Sequence, residues 1–186
     1  NVVGTSVLAS ECYRRKLHLT YMGTGCIFEF DNNHPCGDDS RGFTETDEPN
    51  FTKSWYSATK ILTEKTVKAY SNVLILRIRM PLSDDLAERN FITKITKYSK
   101  VVNVPNSMSI LADLLPIVPE MMLNKDTGIW NFTNPGTISH NQILDLYKKY
   151  IDPNFQYTNF SLDEQAKILK AGRSNNCLDT TKLTSK

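Results

Sequence analysis

The chain lacks a long apolar run. None of its hydrophobic stretches approaches the roughly 20 residues that a helix needs to cross a bilayer, and the first residues do not follow the pattern of a secretion signal. We therefore expect a cytoplasmic protein with no membrane partner. Its 186 residues, 40% hydrophobic and 23% charged, suit one globular domain or one domain with a small additional lobe.

Strong charge of either sign is also missing. Lys and Arg total 22, Asp and Glu total 20, and the formal net charge is +2. A nucleic-acid-binding protein usually carries a pronounced basic patch, so no nucleic-acid partner is expected. These numbers leave a homodimer open.

Clusters of cysteine and histidine are absent. The four cysteines form no Cys-x-x-Cys pair, and the three histidines show no spacing typical of metal ligands. Neither a zinc site, nor any other metal, nor a disulfide framework is predicted, and the pattern fits a reducing compartment. The residues concerned are Cys12, Cys26, Cys36, Cys177, His18, His34 and His140.

Helical and extended patterns alternate along the first half of the chain. Helices are predicted over 1–16 and 54–70, and a strand over 18–22. A nearly continuous apolar run at 73–78 is typical of a strand that is buried on both faces of a parallel sheet. The alternation predicts an α/β fold with right-handed crossovers, whose ligands bind beyond the carboxyl ends of the strands.

Apolar stripes on these two helices predict how the helices pack. Residues at helical spacing on one side of each helix are apolar, and in the second helix we expect them to face the core. The stripe of the first helix contains Val2, Val3, Leu8 and Ala9, and that of the second contains Trp55, Ala58, Leu62 and Ala69.

The second half of the chain contains shorter elements. Ser-x-x-Gln at 139–142 and Ser-x-x-Glu at 161–164 are capping boxes, which mark the starts of helices. The other predicted elements are a helix over 86–99, a strand over 101–104, a helix over 109–123 that Pro116 and Pro119 bend or interrupt, and a strand over 128–132.

Tyr56 and Lys60 lie four residues apart near the start of the second helix. At ~3.6 residues per turn their side chains point the same way, about one turn apart. A lysine ammonium beside a phenol favours the phenolate, so Tyr56 could exchange a proton with a carbonyl or alcohol oxygen. This spacing also occurs by chance in many helices. Two further stretches follow strands and should line the same crevice, namely 24–26 and 79–81.

Together these three stretches resemble the extended short-chain dehydrogenase/reductases. More narrowly, the chain resembles the nucleotide-rhamnose synthases, which are epimerase-reductases, from residue 1 to about residue 183. The matching sequence motifs are TGCIFEF, which begins at Thr24, YSATK, which begins at Tyr56, and the stretches 90–94, 104–108, 128–136 and 173–176.

The resemblance implies a Rossmann-like parallel sheet with a smaller C-terminal substrate-binding lobe. Residues 1–82 would form the C-terminal portion of the NADP-binding domain with the catalytic residues. Residues 83–186 would form most of the lobe and return at least one strand to the main sheet. The family's glycine-rich turn, which holds the cofactor pyrophosphate, is absent from the sequence. We therefore expect that the N-terminal cofactor-binding strands are missing and that these 186 residues alone bind NADPH poorly.

The resemblance also implies an activity, the conversion of a UDP- or dTDP-4-keto-6-deoxy-glucose to the nucleotide L-rhamnose with NADPH, NADH being left open. For the reduction it assigns Tyr56 as proton donor, Lys60 as its partner and ligand of the nicotinamide ribose, and Thr24 as a donor to the carbonyl oxygen. For the 3,5-epimerisation it points to Cys26 and Lys94. Which of these two removes the proton stays open.

Further contacts are expected from the same resemblance. For the cofactor they involve Tyr56, Lys60, Arg79, Met80 and Pro81. For the sugar nucleotide they involve Thr24, Cys26, Asn90, Phe91, Lys94, Arg173, Asn175 and Asn176, in which Arg173 would clamp the diphosphate. Gly172 stands where a proline is expected in relatives.

Three other functions stay open at this point. One is a GDP-4-keto-6-deoxymannose epimerase-reductase of the fucose branch, which also uses a cysteine after the Ser/Thr. Another is a dTDP-4-dehydrorhamnose reductase without epimerase activity, which the pair Cys26 and Lys94 disfavours. The last is a non-catalytic regulatory subunit that keeps the fold and binds NADP. Turnover would separate it from the enzymes.

Overall fold

A computed structural model describes residues 2–85 and 87–186. In that part of the chain no helix is long and apolar enough to cross a membrane. The helices are α1 (Val2–Arg14), α2 (Trp55–Val67), α3 (Phe91–Ile95), α4 (Leu111–Leu114), α5 (Ile117–Leu123), α6 (His140–Tyr150), α7 (Leu162–Ile168) and α8 (Thr181–Thr184). The strands are β1 (Leu19–Thr24), β2 (Val73–Ile78), β3 (Lys100–Val101), β4 (Gly128–Asn131) and β5 (Thr158–Asn159).

The main sheet contains three parallel strands in the order β1-β2-β4. Leu19 lies opposite Val73, and Ile75 lies opposite Ile129. Helix α2 connects β1 to β2, and the chain returns to the sheet as β4 after passing through α3, β3, α4 and α5. A second, two-stranded parallel sheet joins β3 to β5. The prediction of an α/β fold with a parallel sheet is confirmed.

Strand β2 occupies the centre of the main sheet and is covered on both faces. On one face Val73 and Ile75 pack with Ala9 of α1 and Val67 of α2. On the other face Leu74 and Leu76 pack with residues that include Met121, Phe132 and Leu183. Because neither face meets water, nearly every position needs an apolar side chain, which explains the nearly continuous apolar run at 73–78. The exception is Arg77, which is paired in the interior. The strand predicted there is observed with the same bounds.

The apolar stripes predicted for α1 and α2 are wrong in part. Ala9 is buried, but Val3 and Leu8 are exposed, and in α2 Trp55 and Leu62 are 84% and 54% exposed. The buried face of α2 is instead formed largely by polar residues that have partners inside the protein. This face contains Ser57, Thr63, Glu64 and Val67.

The Glu64 carboxylate pairs with the Arg77 guanidinium in the interior, at 2.7 and 3.1 Å. Both side chains are almost fully buried. The pair fastens α2 to β2 and puts two charged residues in the interior, so the buried face of α2 differs from the apolar stripe that the sequence predicted.

The second half of the chain agrees with its prediction only partly. Helix α3 is much shorter than the predicted 86–99, and residue 86 lies outside the described residues. Its start is fixed by Asn90, whose side chain accepts a hydrogen bond from the backbone N–H of Ile92. The helix predicted over 109–123 is interrupted between α4 and α5, at Pro116. Both capping boxes are confirmed, at the starts of α6 and α7.

The division of the chain at residue 82 stays a prediction. Beyond that point a separate apolar cluster joins α3, β3 and α6. Its buried members are Ile95, Val101, Met108, Ile143 and Leu144.

Candidate active site

A cavity of about 1090 Å³ opens beyond the carboxyl ends of β1 and β2. Cys26 follows β1 and Met80 follows β2, and both line it, as expected for a ligand site of a parallel sheet. The start of α2, helix α3 and the segment 171–175 complete the wall. The predicted site residues that line the cavity are Cys26, Tyr56, Met80, Phe91, Lys94, Arg173 and Asn175.

Tyr56 lies at the start of α2 with its side chain open to the cavity. Ser54 caps the helix by accepting a hydrogen bond from the N–H of Ser57, so the first turn is fixed. Tyr56 is 49% exposed, as a residue that must reach a ligand has to be. The Ser57 hydroxyl donates to the carbonyl oxygen of Cys26 at 2.7 Å, which holds the end of β1 next to the start of α2.

Lys60 lies one turn further along α2, but its ammonium group does not bond to Tyr56. Nζ donates to the Tyr21 hydroxyl at 3.1 Å and lies 5.2 Å from the centre of that ring. Tyr21 is therefore a partner that the sequence analysis did not identify. Thr24 is buried at the end of β1, where its hydroxyl accepts a hydrogen bond from the N–H of Cys26 at 3.1 Å.

Cys26 contacts a buried arginine. The Arg79 side chain points away from solvent, and its Nη1 lies 3.4 Å from the Cys26 sulfur. The same guanidinium donates to Ser174 and Asn106. Burial lowers the pKa of Arg79, and the nearby sulfurs of Cys26 and Cys177 act in the opposite direction.

Asn90 and Phe91 occupy different surroundings at the start of α3. Phe91 lines the cavity, with its ring centre 5.2 Å from that of His140. Asn90 is buried, and its amide group donates to Ser83 and to the carbonyl oxygen of Asp85. Its polar atoms are thus used within the protein.

The segment 172–176 contributes to the cavity wall and contacts the turn after β1 and the chain just before α2. Asn175 lines the cavity, and its Oδ1 accepts a hydrogen bond from Asn106. Asn176 is buried, and its amide donates to the carbonyl oxygens of Gly25 and Phe28, which attaches this segment to the turn after β1.

The N–H of Gly172 donates to the carbonyl oxygen of Lys53 at 3.1 Å. A proline has no N–H and could not make this bond. The glycine found here in place of the expected proline therefore allows a direct link from this segment to the chain just before α2.

The three residues after β2 differ in where they point. Met80 lines the cavity and has a positive φ of 40°, a strained conformation that non-glycine residues adopt mainly where function or packing demands it. Pro81 is exposed. The Arg79 guanidinium is committed to partners inside the protein.

Cations dominate the charge of the cavity wall. Lys94, Lys97, Lys100 and Arg173 all line it, and no Asp or Glu does so among the described residues. Lys97 and Lys100 were not identified from the sequence as site residues. The available signal was that Lys97 follows Lys94 by three residues and Lys100 follows it by six, but lysines at such spacing are more often only solvated.

His140 also lines the cavity and was not identified from the sequence as a site residue. Burial lowers its pKa, the positive charge of Arg79 lowers it further, and a hydrogen bond with the backbone of Val102 acts in the opposite direction. The imidazole is therefore held toward its neutral form. Nδ1 is buried and has no partner among the described residues.

The sheet order and the position of the cavity define a Rossmann-like α/β protein. Residues 1–143 match the family described as "RmlD substrate binding domain". The chain therefore belongs to this family.

Relatives of known sequence agree with this assignment. The bifunctional dTDP-4-dehydrorhamnose 3,5-epimerase/dTDP-4-dehydrorhamnose reductase of Arabidopsis thaliana is 57% identical over 184 residues, which are 98% of this chain and 61% of that protein. The chain thus spans less than two thirds of this relative.

Solved structures agree as well. The L780 UDP-rhamnose synthase of Acanthamoeba polyphaga mimivirus is 48% identical and has a TM-score of 0.93, over 100% of this chain and 64% of that protein. A dTDP-4-dehydrorhamnose reductase from Bacillus anthracis in complex with NADP is 18% identical, with a TM-score of 0.76 over 100% of this chain and 65% of that protein. At this identity the second match shows the fold alone.

Proposed function

We propose that the protein carrying these residues converts a nucleotide 4-keto-6-deoxy-glucose to the nucleotide L-rhamnose, as a 3,5-epimerase and 4-reductase. The observation that carries the proposal is that Cys26, Tyr56 and Lys94 line one cavity whose described wall contains cations and no carboxylate. The relatives with 57% and 48% identity are named as enzymes of dTDP- and UDP-rhamnose synthesis, which supports both nucleotides as substrates.

Tyr56 would act in the reduction. Its side chain is open to the cavity, so its hydroxyl could deliver a proton to the carbon-4 oxygen of a bound keto-sugar. Thr24 is buried close to Cys26, and its hydroxyl accepts from the Cys26 N–H while keeping its own proton, which it could donate to the same oxygen. Lys60 would assist the proton transfer from Tyr56. It would do so either through its present contact with Tyr21 or after its side chain turns toward the cavity.

Cys26 and Lys94 would act in the epimerisation. The carbon-4 ketone acidifies the protons on carbons 3 and 5, and inversion requires a base on one face of the ring and an acid on the other. A thiol and an amine that line one cavity are suitable groups for these two roles. Removal of the proton leaves its electron pair in an enolate, and a proton delivered to the opposite face inverts the carbon.

The cationic wall would bind the diphosphate of the substrate. Lys94 lies on α3, Lys100 begins β3, and Lys97 lies in the turn between them. Arg173 lies on the segment 171–175 of the same cavity wall. A guanidinium matches the geometry of phosphate oxygens, and lysines add attraction without fixed geometry. A cavity of about 1090 Å³ is large enough for a nucleotide sugar.

The described residues fit the nicotinamide end of a cofactor. Tyr56 and Met80 both line the cavity, and Lys60 is one turn from Tyr56 on the same helix. Arg79 and Pro81 are the neighbours of Met80 in the chain. When bound, NADPH would supply the hydride for carbon 4. The residues that would hold the pyrophosphate are not found in this sequence, because it contains no glycine-rich turn of the family type.

We also propose a location for the reaction. It would take place in the cytoplasm, since all four cysteines are unpaired thiols. A homodimer stays a prediction.

The test is turnover by the protein that carries these residues. Given NADPH and UDP- or dTDP-4-keto-6-deoxy-glucose in deuterated water, it should oxidise NADPH and place deuterium at carbons 3 and 5 of the product. A Cys26→Ala variant should lose that label, whereas Cys36→Ala, at an exposed thiol outside the cavity wall, should keep it. NADP binding without turnover would instead favour a regulatory subunit, and turnover of GDP-4-keto-6-deoxymannose alone would favour the fucose branch.

A further inference from the structure

Arg79 is buried beside Cys26 without a carboxylate among its hydrogen-bond partners. It is 1% exposed, and Nη1 lies 3.4 Å from the Cys26 sulfur. Nη1 also donates to the Ser174 hydroxyl at 3.1 Å, and Nη2 donates to the Ser174 carbonyl oxygen at 2.6 Å and to Oδ1 of Asn106. These oxygens are all neutral. Among the described residues, no anion is bonded to this guanidinium.

The neighbouring Arg77 shows what a buried arginine ordinarily requires. It lies two residues earlier in the chain, is equally buried, and is paired with Glu64 at 2.7 Å. An ionised group that is removed from water without an opposite charge is strongly disfavoured, so buried cations are normally paired. Arg79 therefore lacks a partner of the kind that Arg77 has.

Three titratable groups interact electrostatically with Arg79, namely Cys26, Cys177 and His140. His140 can only be neutral or positive. Burial, assisted by the charge of Asp39, raises the pKa of Cys177 to about 11, so this thiol stays protonated. Lys94 and Arg173 on the cavity wall add positive charge. Cys26 is thus the partner of Arg79 that can carry a negative charge.

We propose that Arg79 is the positioning residue and counter-ion of Cys26: its guanidinium holds the sulfur at the cavity wall and balances the charge of the thiolate during proton transfer. The reaction that this arrangement serves rests on the proposed function. In it the thiolate takes a proton from the carbon beside the ketone and becomes a thiol. The electron pair of the broken C–H bond moves into the enolate.

The same guanidinium connects the thiol to the segment that would hold the substrate diphosphate. Ser174 accepts from Arg79 through both its hydroxyl and its carbonyl oxygen, and it stands between Arg173 and Asn175, which line the cavity. The Ser174 hydroxyl in turn donates to the carbonyl oxygen of Phe28 at 2.6 Å, just beyond Cys26. One side chain therefore fixes the sulfur and the phosphate-binding segment relative to each other.

The first test follows the rate of alkylation of Cys26 by iodoacetamide, in a Cys36→Ser background that removes the exposed thiol. Cys12 and Cys177 are buried and serve as internal controls in the peptide map. At a fixed neutral pH, Arg79→Met should slow alkylation of Cys26 by about tenfold, because loss of an adjacent cation disfavours the thiolate. Arg79→Lys should lie closer to the unsubstituted protein, since it keeps the charge while losing the bidentate contacts.

The second test measures the two half-reactions in the protein that carries these residues. Arg79→Met should lower deuterium incorporation at carbons 3 and 5 by about a hundredfold. Reduction of substrate that has already been epimerised should fall far less. Arg79→Lys should restore most of the exchange. If Arg79→Met does not fold, the lysine variant alone still decides, because loss of exchange with reduction intact would overturn the counter-ion role.

The outcomes separate this inference from the proposed function. Alkylation requires no substrate, so slower alkylation of Cys26 in Arg79→Met supports the inference even if no keto-sugar is turned over. An unchanged alkylation rate in a folded Arg79→Met variant overturns the inference, whether or not the protein makes nucleotide rhamnose.

Discussion

The hydroxyl of Ser57 donates a hydrogen bond to the backbone carbonyl of Cys26 at 2.7 Å, and it accepts one from the hydroxyl of Ser54 at 2.8 Å. Ser57 follows Tyr56 directly, so this bond joins the residue that would protonate the carbon-4 oxygen to the backbone of the residue whose thiol would act in the epimerisation. Ser57, which makes this contact, takes no part in either proposed proton transfer.

Replacing Ser57 by alanine should therefore lower the stability of the protein. Ser57 is buried, and the Cys26 carbonyl oxygen would lose this donor, at a cost of about 1–3 kcal/mol in the free energy of unfolding. Urea denaturation measures this loss. Thr66→Ala is the matched control, because its hydroxyl bonds within the exposed side of the same helix, and it should cost less than about 1 kcal/mol.

The buried pair of Glu64 and Arg77 should be sensitive to removal of either member. Glu64→Ala leaves the Arg77 charge uncompensated beneath α2, and we expect a loss of about 3–5 kcal/mol in the free energy of unfolding. The exposed pair of Lys53 and Glu29 is the control, and Lys53→Met should change stability by less than about 1 kcal/mol. Similar losses for the two variants would contradict the importance of the buried pair.

The sequence could predict those parts of the fold that depend on local patterns. The run at 73–78 predicts β2 because a strand covered on both faces needs apolar side chains at nearly every position. The capping box at 139–142 predicts the start of α6 because its donors and acceptors all lie within four residues.

Other features depend on partners that are distant in the chain, and the sequence could not reveal them. The buried face of α2 was assigned wrongly because Glu64 finds its partner on another element, so polarity did not imply exposure. The family resemblance could place Arg79 near the site, but not the direction of its guanidinium, which is set by Asn106 and Ser174. Periodicity carries no information on such contacts.

Tyr56→Phe should separate the two proposed half-reactions. Loss of the hydroxyl removes the proton donor for the carbon-4 oxygen, so NADPH oxidation should fall by about a hundredfold or more. Deuterium exchange at carbons 3 and 5 should persist, because Cys26 and Lys94 are unchanged. The control is Tyr13→Phe on the exposed side of α1, with both activities retained. Equal loss of exchange and reduction in Tyr56→Phe would contradict this division of roles.

The lysines of the cavity wall should act on substrate binding. Lys97→Gln combined with Lys100→Gln should raise KM for the nucleotide sugar by about tenfold, equivalent to about 1.4 kcal/mol, with little change in kcat. The KM of the variant should also depend less on salt concentration, because two charge–charge attractions to the substrate that salt would screen have been removed. Lys148→Gln with Lys149→Gln, exposed near the end of α6, is the charge-matched control. An equal rise of KM in the control would rule out a specific phosphate contact.

His140 should make stability depend on pH. Burial and the charge of Arg79 hold its pKa in the folded protein below 6.5, whereas the unfolded chain titrates near 6.5. Above that pH both states are neutral at this residue. As pH falls below about 6.5, the unfolded chain binds a proton that the folded protein does not, so the free energy of unfolding decreases until the lower, folded pKa is reached.

His140→Gln removes the group that takes up this proton. Between pH 7 and pH 5 the free energy of unfolding of the variant should therefore fall less than that of the unsubstituted protein. Urea denaturation at several pH values measures the difference. His18→Gln, at a partly buried histidine bonded to the carbonyl oxygen of Asp126, is the matched control. Parallel pH profiles for the His140→Gln variant and the unsubstituted protein would mean that the imidazole is protonated equally in both states, against the neutral form that its burial beside Arg79 requires.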